Sequence, residues 1–416
     1  MQTKTNKWSS LLRCPIFWII LSAFFIRIAA AAYLGNTVSG LSGAYDEISY
    51  SMLGHRLAQG FGLTFPRDWY PWIKAGAPQS YYSAAMSIYL GAIYLLFGYV
   101  PLIARLITAL LSTLIVLVLY LLARDIFNRQ VAMLAAFIAA VYAYLVFYGV
   151  TLVTETPFIL AILLALYISY EIVAHPALWK WVALGICLAV CVLFRMAVVF
   201  FVPILLAWIY FRHPQRKSFL LIPITIILLA VIPFTIRNYF LWDQFLLLES
   251  QFGHVFWNGN HPASLGNFHP FRVFEIPGQV LVSQNDAQIT NQLLAMGIHN
   301  VLNDPRLFAS LTITRLREFF TFWPTPDSTT PANVMRVFSF GILWPFAVAG
   351  IWLTKSDWRK LLPLYLFMLI HTAIYAISWT MIRYRIPLDA MLIIFAAFTI
   401  VCIIRKYYPR CMQKYP

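Results

Sequence analysis

Apolar and polar positions fall along this chain in long blocks, not in short amphipathic periods. Runs of roughly 20 apolar residues, the length that crosses a bilayer core as a helix, cover 14–34, 101–123, 131–149, 153–173, 218–236, 337–354, 361–379 and 386–404. The run 178–211 is too long for one crossing, and Arg195 interrupts it. It is read as a hairpin of two helices, 178–193 and 196–211, which brings the expected number of spans to ten. One more run, 83–97, is apolar but short, and counting it would reverse the sidedness of everything after it.

The basic residues arbitrate, because short cytoplasmic connections are rich in Lys and Arg. With 83–97 left out, one side collects Lys4, Lys7, Arg13, Arg124, Arg129, Lys180, Arg212, Arg216, Lys217, Lys355, Arg359, Lys360, Arg405, Lys406, Arg410 and Lys414. With it counted, the turns at 212–217 and 355–360 move outside. The segment is therefore predicted to be a re-entrant or surface helix, with both termini cytoplasmic. The acids show the opposite bias: of fifteen, only Asp125, Glu171 and Asp357 fall inside. Most of the others lie in two outer segments, a first loop at 35–100 and a second at 237–336. A connection as long as the second is usually functional or contains its own helices, and its stretch 288–322 reads as an amphipathic segment lying on the membrane. No inverted repeat of the transporter kind is visible. The expected architecture is an all-α polytopic membrane protein: one transmembrane domain over 1–404 and a basic cytoplasmic tail over 405–416.

Composition strengthens this picture. The chain of 416 residues is 61% apolar and 11% charged, against roughly 25% charged in soluble domains. So few charges cannot coat a globule of this size, so lipid must solvate much of the surface. The 14 Trp suit interfacial belts. The net charge of +15 is read as cytoplasmic anchoring plus attraction for an anionic lipid or substrate. Nucleic acid is not an expected partner, since no basic helix or RNA motif appears. Cys14, Cys187, Cys191, Cys402 and Cys411 sit in apolar segments or near cytoplasmic ends, so no disulfide framework is expected. The first apolar run is too long for a signal-peptide core and reads as a retained helix.

The candidate chemistry lies on the outer side. Asp46 and Glu47 follow the first span, with Tyr50, Leu53, Leu57 and Ala58 behind them at helical spacing. They open an amphipathic helix, where acids favour the macrodipole; they also suit a general base or a metal ligand at the membrane surface. Glu155, in Thr154-Glu155-Thr156-Pro157, starts an apolar helix. An ionisable group at that depth is costly and is a functional hypothesis by default, although an acid with an early proline also fits a helix start. Arg195, Arg237, Arg383 and Arg385 sit at helix ends on the same face. Each alone could snorkel to headgroups; together beside acids they suit a phosphate-bearing lipid. His254, His261 and His269 lie in the second loop at irregular spacing. No spacing compels a divalent metal; Glu47, His254 and His261 are the candidate ligands if one binds. The stretch Gly253 to Pro262 is turn-rich and aromatic, and Trp257 is placed to stack on a sugar ring.

In this order the features resemble the polytopic GT-C glycosyltransferases, in particular bacterial relatives of protein O-mannosyltransferases and the aminoarabinose transferase of lipid A. The matching pieces are Tyr45-Asp46-Glu47-Ile48-Ser49-Tyr50, Phe97-Gly98 with Arg105-Leu106, Ala123-Arg124-Asp125-Ile126-Phe127, Thr154-Glu155-Thr156-Pro157, Pro233-Phe234-Thr235-Ile236-Arg237-Asn238, Phe256-Trp257-Asn258-Gly259-Asn260 and Arg383-Tyr384-Arg385-Ile386-Pro387. Each is short and loose; their joint order over about 10–400 is specific to the superfamily and not to a substrate. The resemblance implies a GT-C-like fold and an inverting glycosyltransferase that passes a sugar from a polyprenyl-phosphate donor to an acceptor hydroxyl of a lipid, glycan or protein. It implies Asp46 as the base or acceptor-orienting acid, with Glu47 its neighbour and Glu155 a second acid near the same cavity. Donor phosphate would be held among Arg56, Lys74, Arg195, Arg237, Arg383 and Arg385, and the sugar or acceptor would meet Tyr50, Trp257 and Asn260. Where many relatives carry His or Lys with Pro-Pro, this chain has Ala77-Pro78-Gln79-Ser80-Tyr81, so Lys74 or Arg56 would have to substitute. The expected site is the outer face of a bacterial inner membrane. A flippase or transporter for a lipid-linked sugar is the alternative, and a scaffold protein the third; a transporter places its polar groups at mid-membrane, whereas here they cluster at one face.

Overall fold

The computed structural model describes residues 14–40, 45–213, 218–264, 274–282, 285–326 and 328–407. Lys4, Lys7, Arg13, Arg216, Lys217, His269, Arg410, Cys411 and Lys414 lie outside these residues, as do Gly43 and Ala44. Among the described residues the chain is helical and holds no strand, only an isolated bridge between Thr64 and Pro78. It is an all-α integral membrane protein.

Among the described residues seven helices are long and apolar enough to cross a bilayer: Pro15–Leu34, Pro101–Ile126, Glu155–Ala174, Ser218–Trp242, Thr330–Leu353, Lys355–Ile377 and Ile382–Tyr407. Four shorter apolar helices accompany them, at Ala84–Phe97, Arg129–Val141, Leu178–Phe194 and Met196–Arg212. Leu178–Phe194 and Met196–Arg212 match the expected spans 178–193 and 196–211, whereas Arg129–Val141 covers only the first part of 131–149, the rest being a break at Tyr142 and the short helix Ala143–Phe147. Ala84–Phe97 is the segment 83–97.

In chain order the elements used below are α1 (Pro15–Leu34), α2 (Asp46–Ala58), α3 (Ala84–Phe97), α4 (Pro101–Ile126), α5 (Arg129–Val141), α6 (Ala143–Phe147), α7 (Glu155–Ala174), α8 (Leu178–Phe194), α9 (Val202–Arg212) and α10 (Leu221–Trp242). The second large loop folds into α11 (Gln251–Gly259), α12 (Gly278–Leu281), α13 (Asp286–Asn303) and α14 (Pro305–Phe319). Then come α15 (Thr330–Met335), α16 (Ile342–Leu353), α17 (Trp358–Ile377) and α18 (Ile386–Tyr407). α18 is the enclosed centre of the bundle, with Ile386 to Ala397 buried throughout. α10 is its opposite: Leu228, Leu229, Ile232, Ile236 and Phe240 face outward, as a lipid-facing helix should when lipid is as apolar as leucine.

The first loop is built on a helix pair. α2 and α3 run side by side, and glycines let them touch. A Cβ on Gly54 would lie 2.8 Å from the Leu90 Cβ, and one on Gly91 would lie 3.0 Å from Leu57 Cδ2. Ser51 Oγ and the Tyr94 hydroxyl close the pair at 2.9 Å. At 14 residues α3 is about 21 Å long, short of the roughly 30 Å hydrocarbon core.

The amphipathic stretch expected at 288–322 is two helices, broken where Asp304 caps α14 by accepting from the Leu307 N–H at 2.9 Å and Pro305 takes its first position. The turn-rich stretch Gly253–Pro262 divides: turns stand at Asn260 and Pro262, and what precedes them is helix. Residues 251–259 are helical, and Gly259 has no positive φ. Glycine is needed there for closeness instead: a Cβ on Gly253 would sit 2.0 Å from the Thr290 carbonyl oxygen, and one on Gly259 1.9 Å from that of Ser378.

Basic turns gather at one end of the bundle. Lys360 donates to the Ile126 carbonyl, the Tyr170 hydroxyl donates to the Lys360 carbonyl at 2.7 Å, and Arg212 to that of Arg359 at 2.9 Å. Lys180 pairs with Glu171 at 2.8 Å, and Arg405 reaches Gln130 at 2.6 Å. The opposite end carries the acids and arginines of the next section.

Candidate active site

Asp46 and Glu47 are the first two residues of α2, and neither is spent on capping it. One step along a helix turns a side chain by about 100°, so the two carboxylates diverge. Glu47 turns inward and accepts from Arg105 at 2.7 Å and from the Leu152 N–H at 3.2 Å, both partners buried. Asp46 turns to a cavity and accepts from Arg383.

Arg383 lies in the 3-10 turn Ile382–Arg385 that precedes α18. Besides Asp46 it approaches Glu155, its Nε 3.7 Å from Oε1. Glu155, the first residue of α7, accepts from Arg195 NH2 at 2.6 Å. Arg195 sits where α8 has ended at Phe194 and the 3-10 turn Met196–Phe200 begins, its own backbone extended. Its NH1 donates to the Tyr375 hydroxyl at 2.8 Å. The result is a chain of alternating charge, Asp46–Arg383–Glu155–Arg195, ending on Tyr375. The Tyr384 ring lies against both guanidinium groups, 5.1 Å from Arg195 and 5.2 Å from Arg383. Buried charges of this kind are costly unless mutually paired, and the alternation is what makes their burial tolerable. Among the described residues Arg195 Nε, Arg383 Nε and Glu155 Oε2 in this cluster have no hydrogen-bond partner.

These residues line a cavity of about 320 Å³. Asp46, Tyr50, Thr154, Arg195, Arg383 and Tyr384 form its polar floor, and Phe194, Met196, Val199, Phe200, Leu247, Phe252, Val255 and Ile374 its apolar walls. Phe200 is 63% exposed and Phe252 42%, so the apolar wall continues to the surface of the bundle. Glu249, in the loop between α10 and α11, also lines the cavity. Sequence reasoning missed it. Burial pushes its carboxyl up to about 7, with Arg195 opposing and Asp46 adding to the shift. The signal that could have found it is an acid directly after Leu246-Leu247-Leu248, an expensive neighbourhood for a charge.

Of the residues singled out by sequence, the structure brings Asp46, Tyr50, Arg195 and Arg383 to the cavity, with Glu155 bonded behind them. The others lie elsewhere. Arg385, two positions from Arg383, is fully buried on the far side of the turn, bound to Asp389 at 2.9 Å and to the Phe319 carbonyl at 2.8 Å. Arg237 holds the first loop, donating to Ser80 Oγ at 3.3 Å and the Gln79 carbonyl at 3.1 Å. Arg56 contacts Thr64 and lies over the Phe61 ring; Lys74 pairs with Asp68 on the surface. Asn260 accepts from Arg315 at 2.9 Å and donates to the Phe256 and Ile377 carbonyls. Trp257 is buried beside His254 and Phe274. His254 meets the Tyr81 hydroxyl at 2.7 Å, and burial lowers its pKa to about 4, which keeps it neutral. His261 stacks on Phe274 at 3.9 Å. Glu47, His254 and His261 thus have separate surroundings, and among the described residues no three His, Cys, Asp or Glu side chains converge as a metal set.

Comparison with known proteins gives the fold a context. Residues 85–236, a little over a third of the chain, match the family model of dolichyl-phosphate-mannose-protein mannosyltransferase. None of the curated proteins matches the chain. Among solved structures, the Archaeoglobus fulgidus oligosaccharyltransferase in complex with Zn and sulfate superposes with a TM-score of 0.59 at 16% identity, over 94% of this chain and 50% of that one. The archaeal oligosaccharyltransferase AglB from the same organism, in complex with an inhibitory peptide and a dolichol-phosphate, superposes with a TM-score of 0.56 at 16% identity, over 96% and 52%. ArnT from Cupriavidus metallidurans bound to undecaprenyl phosphate aligns over 96% of this chain and 81% of that one at 16% identity, with a TM-score of 0.42. The chain spans about half the length of the oligosaccharyltransferases it matches. A helical membrane bundle that superposes on those enzymes and carries the mannosyltransferase signature over 85–236 has the fold of the GT-C glycosyltransferases.

Proposed function

We propose that this protein is a glycosyltransferase that moves a sugar from a polyprenyl-phosphate donor to an acceptor hydroxyl, with Asp46 as the base. The carrying observation is the cavity itself: an unusually apolar wall that reaches the surface of the bundle, joined to a floor where Asp46, Arg195 and Arg383 meet. A polyprenyl chain suits the wall. A phosphate suits the floor, since the Arg195 and Arg383 guanidinium groups both line it and arginine forks match phosphate oxygens. One of the solved structures that the chain superposes on adds support, being described in complex with a dolichol-phosphate.

The step balances as follows. The acceptor O–H gives its proton to the Asp46 carboxylate while its oxygen attacks the anomeric carbon. The bond from that carbon to the phosphate oxygen breaks, and the polyprenyl phosphate leaves with the electron pair. Attack from the face opposite the phosphate inverts the anomeric centre. Arg195 and Arg383 stabilise the charge that grows on the leaving phosphate. Glu155 keeps both guanidinium groups in place. By the positive-inside rule the cavity faces away from the cytoplasm, on the outer side of a bacterial plasma membrane, over a single domain 1–404.

A general base contributes roughly 10²–10⁴-fold. Asp46→Asn keeps an acceptor for Arg383 but removes the charge, so it should slow sugar transfer from a polyprenyl-phosphate donor at least about a hundredfold with the protein still folded, its melting temperature being measured alongside. Transfer at the normal rate by that variant would sink the assignment. Movement of an intact lipid-linked sugar across vesicles, with no transfer, would favour the flippase reading.

A further inference from the structure

Glu249 is the carboxylate in the cavity that the charge chain leaves over. Asp46 is held by Arg383, and Glu155 by Arg195 and more distantly Arg383. Glu249 makes no hydrogen bond and no ion pair within the described residues, yet it lines the cavity and feels both Arg195 and Asp46. Its carboxyl is partly buried at the cavity wall, so its oxygens are available to a group that arrives with the substrate.

Position identifies that group. In the reaction proposed above, on which this inference rests, the phosphate lies at Arg195 and Arg383 and the acceptor oxygen at Asp46. The attacked carbon is one bond from the first and about 3–3.5 Å from the second in a near-attack arrangement. The sugar ring therefore occupies the space between Arg195 and Asp46, the two charged groups that act on Glu249. What a sugar presents there is hydroxyl groups, donors for which a carboxylate is a good acceptor and an arginine is none. We propose that Glu249 is a specificity-determining residue that accepts hydrogen bonds from hydroxyl groups of the transferred sugar.

The test separates sugar from phosphate. Binding is measured, for wild type, E249Q and E249D in detergent micelles, to C55 polyprenyl phosphate and to its mannosyl, glucosyl and galactosyl phosphodiesters. Wild type should bind at least one ester more tightly than the bare phosphate. E249Q, which keeps one acceptor oxygen but loses the charge and replaces the second acceptor by an N–H₂ donor, should lose about tenfold or more for that ester and less than twofold for the bare phosphate. E249D should recover part of the preference, since it restores the carboxylate one methylene short. Equal loss for ester and bare phosphate would overturn the proposal, as would a wild type that prefers none of the esters. A wild type that binds neither class of ligand would instead remove the polyprenyl-phosphate reading beneath it. An E249Q protein whose melting temperature falls and whose affinity for every ligand falls with it would show Glu249 to be structural, which also overturns the proposal.

Discussion

At the scale of single residues, adjacent side chains part company. Asp46 reaches the cavity, and Glu47 becomes a clasp. Arg105, which binds Glu47 at 2.7 Å, also donates to the carbonyls of Gly35 at 3.1 Å, Thr37 and Val150. It thereby ties the end of α1, the start of α2 and the approach to α7. Removing one partner of a buried pair costs roughly 3–5 kcal/mol, but the two partners are not equal. Arg105→Met strands a carboxylate and three carbonyls and should lower the apparent melting temperature in detergent sharply. Glu47→Gln keeps an acceptor for the Leu152 N–H and should cost less, with transfer activity retained above a tenth of wild type. Equal loss of activity in Glu47→Gln and Asp46→Asn would contradict this division of roles. Asp46, Glu155 and Arg195 stand out in the sequence because a charge beside an apolar run is expensive and rarely accidental. Arg383 and Arg385 looked equivalent there. Only the 3-10 turn separates them, and a turn of that kind leaves no mark in the periodicity.

At the scale of elements, the spans were legible from their apolar runs, whereas the packing of the second loop was not. Asn258-Gly259 carries a turn signal, yet α11 runs through it to Gly259 because the glycine answers a demand for closeness that comes from α17. The Ser378 carbonyl lies where a Cβ on Gly259 would stand, 1.9 Å from it. The carbonyl of Gly259 in turn accepts from Arg315, which also binds the Ala376 carbonyl at 2.9 Å. α11, α14 and the end of α17 are thus locked at one point, next to the Trp379 and Ser378 wall of the cavity. Gly259→Ala cannot relax by moving a flexible side chain, since the obstacle is backbone. It should destabilise the protein by about 1–3 kcal/mol, the range seen for overpacked sites, and reduce transfer by displacing α11. Gly278→Ala, where nothing lies within 4 Å, is the control and should leave stability within about 0.5 kcal/mol. A Gly259→Ala protein as stable as that control would show that α11 is not held by this contact.

At the scale of the whole molecule, the two ends of the bundle differ in chemistry, and that difference carries a prediction of which way the cavity opens. Residues far apart in sequence, in the connections after α4, α7 and α16 and at the ends of α9 and α18, meet through Lys360, Lys180, Arg212 and Arg405. The gathering of these basic positions at one end was inferred from sequence by omitting 83–97 from the spans. In the structure helix ends at that side are joined by these hydrogen bonds and the Lys180–Glu171 pair. Asp46, Glu155, Glu249, Arg195 and Arg383 lie at the other end, so the positive-inside bias and the acidic site make a single prediction about orientation. In a protein whose five cysteines are replaced by serine, Asp68→Cys and Asn303→Cys should react with a membrane-impermeant maleimide in intact cells. Ser356→Cys, exposed in the turn before α17, should react only after the membrane is opened. The reverse pattern would place the cavity in the cytoplasm, where nucleotide-activated sugars are an available donor class, and the choice of a polyprenyl-phosphate donor would then have to rest on the apolar wall alone.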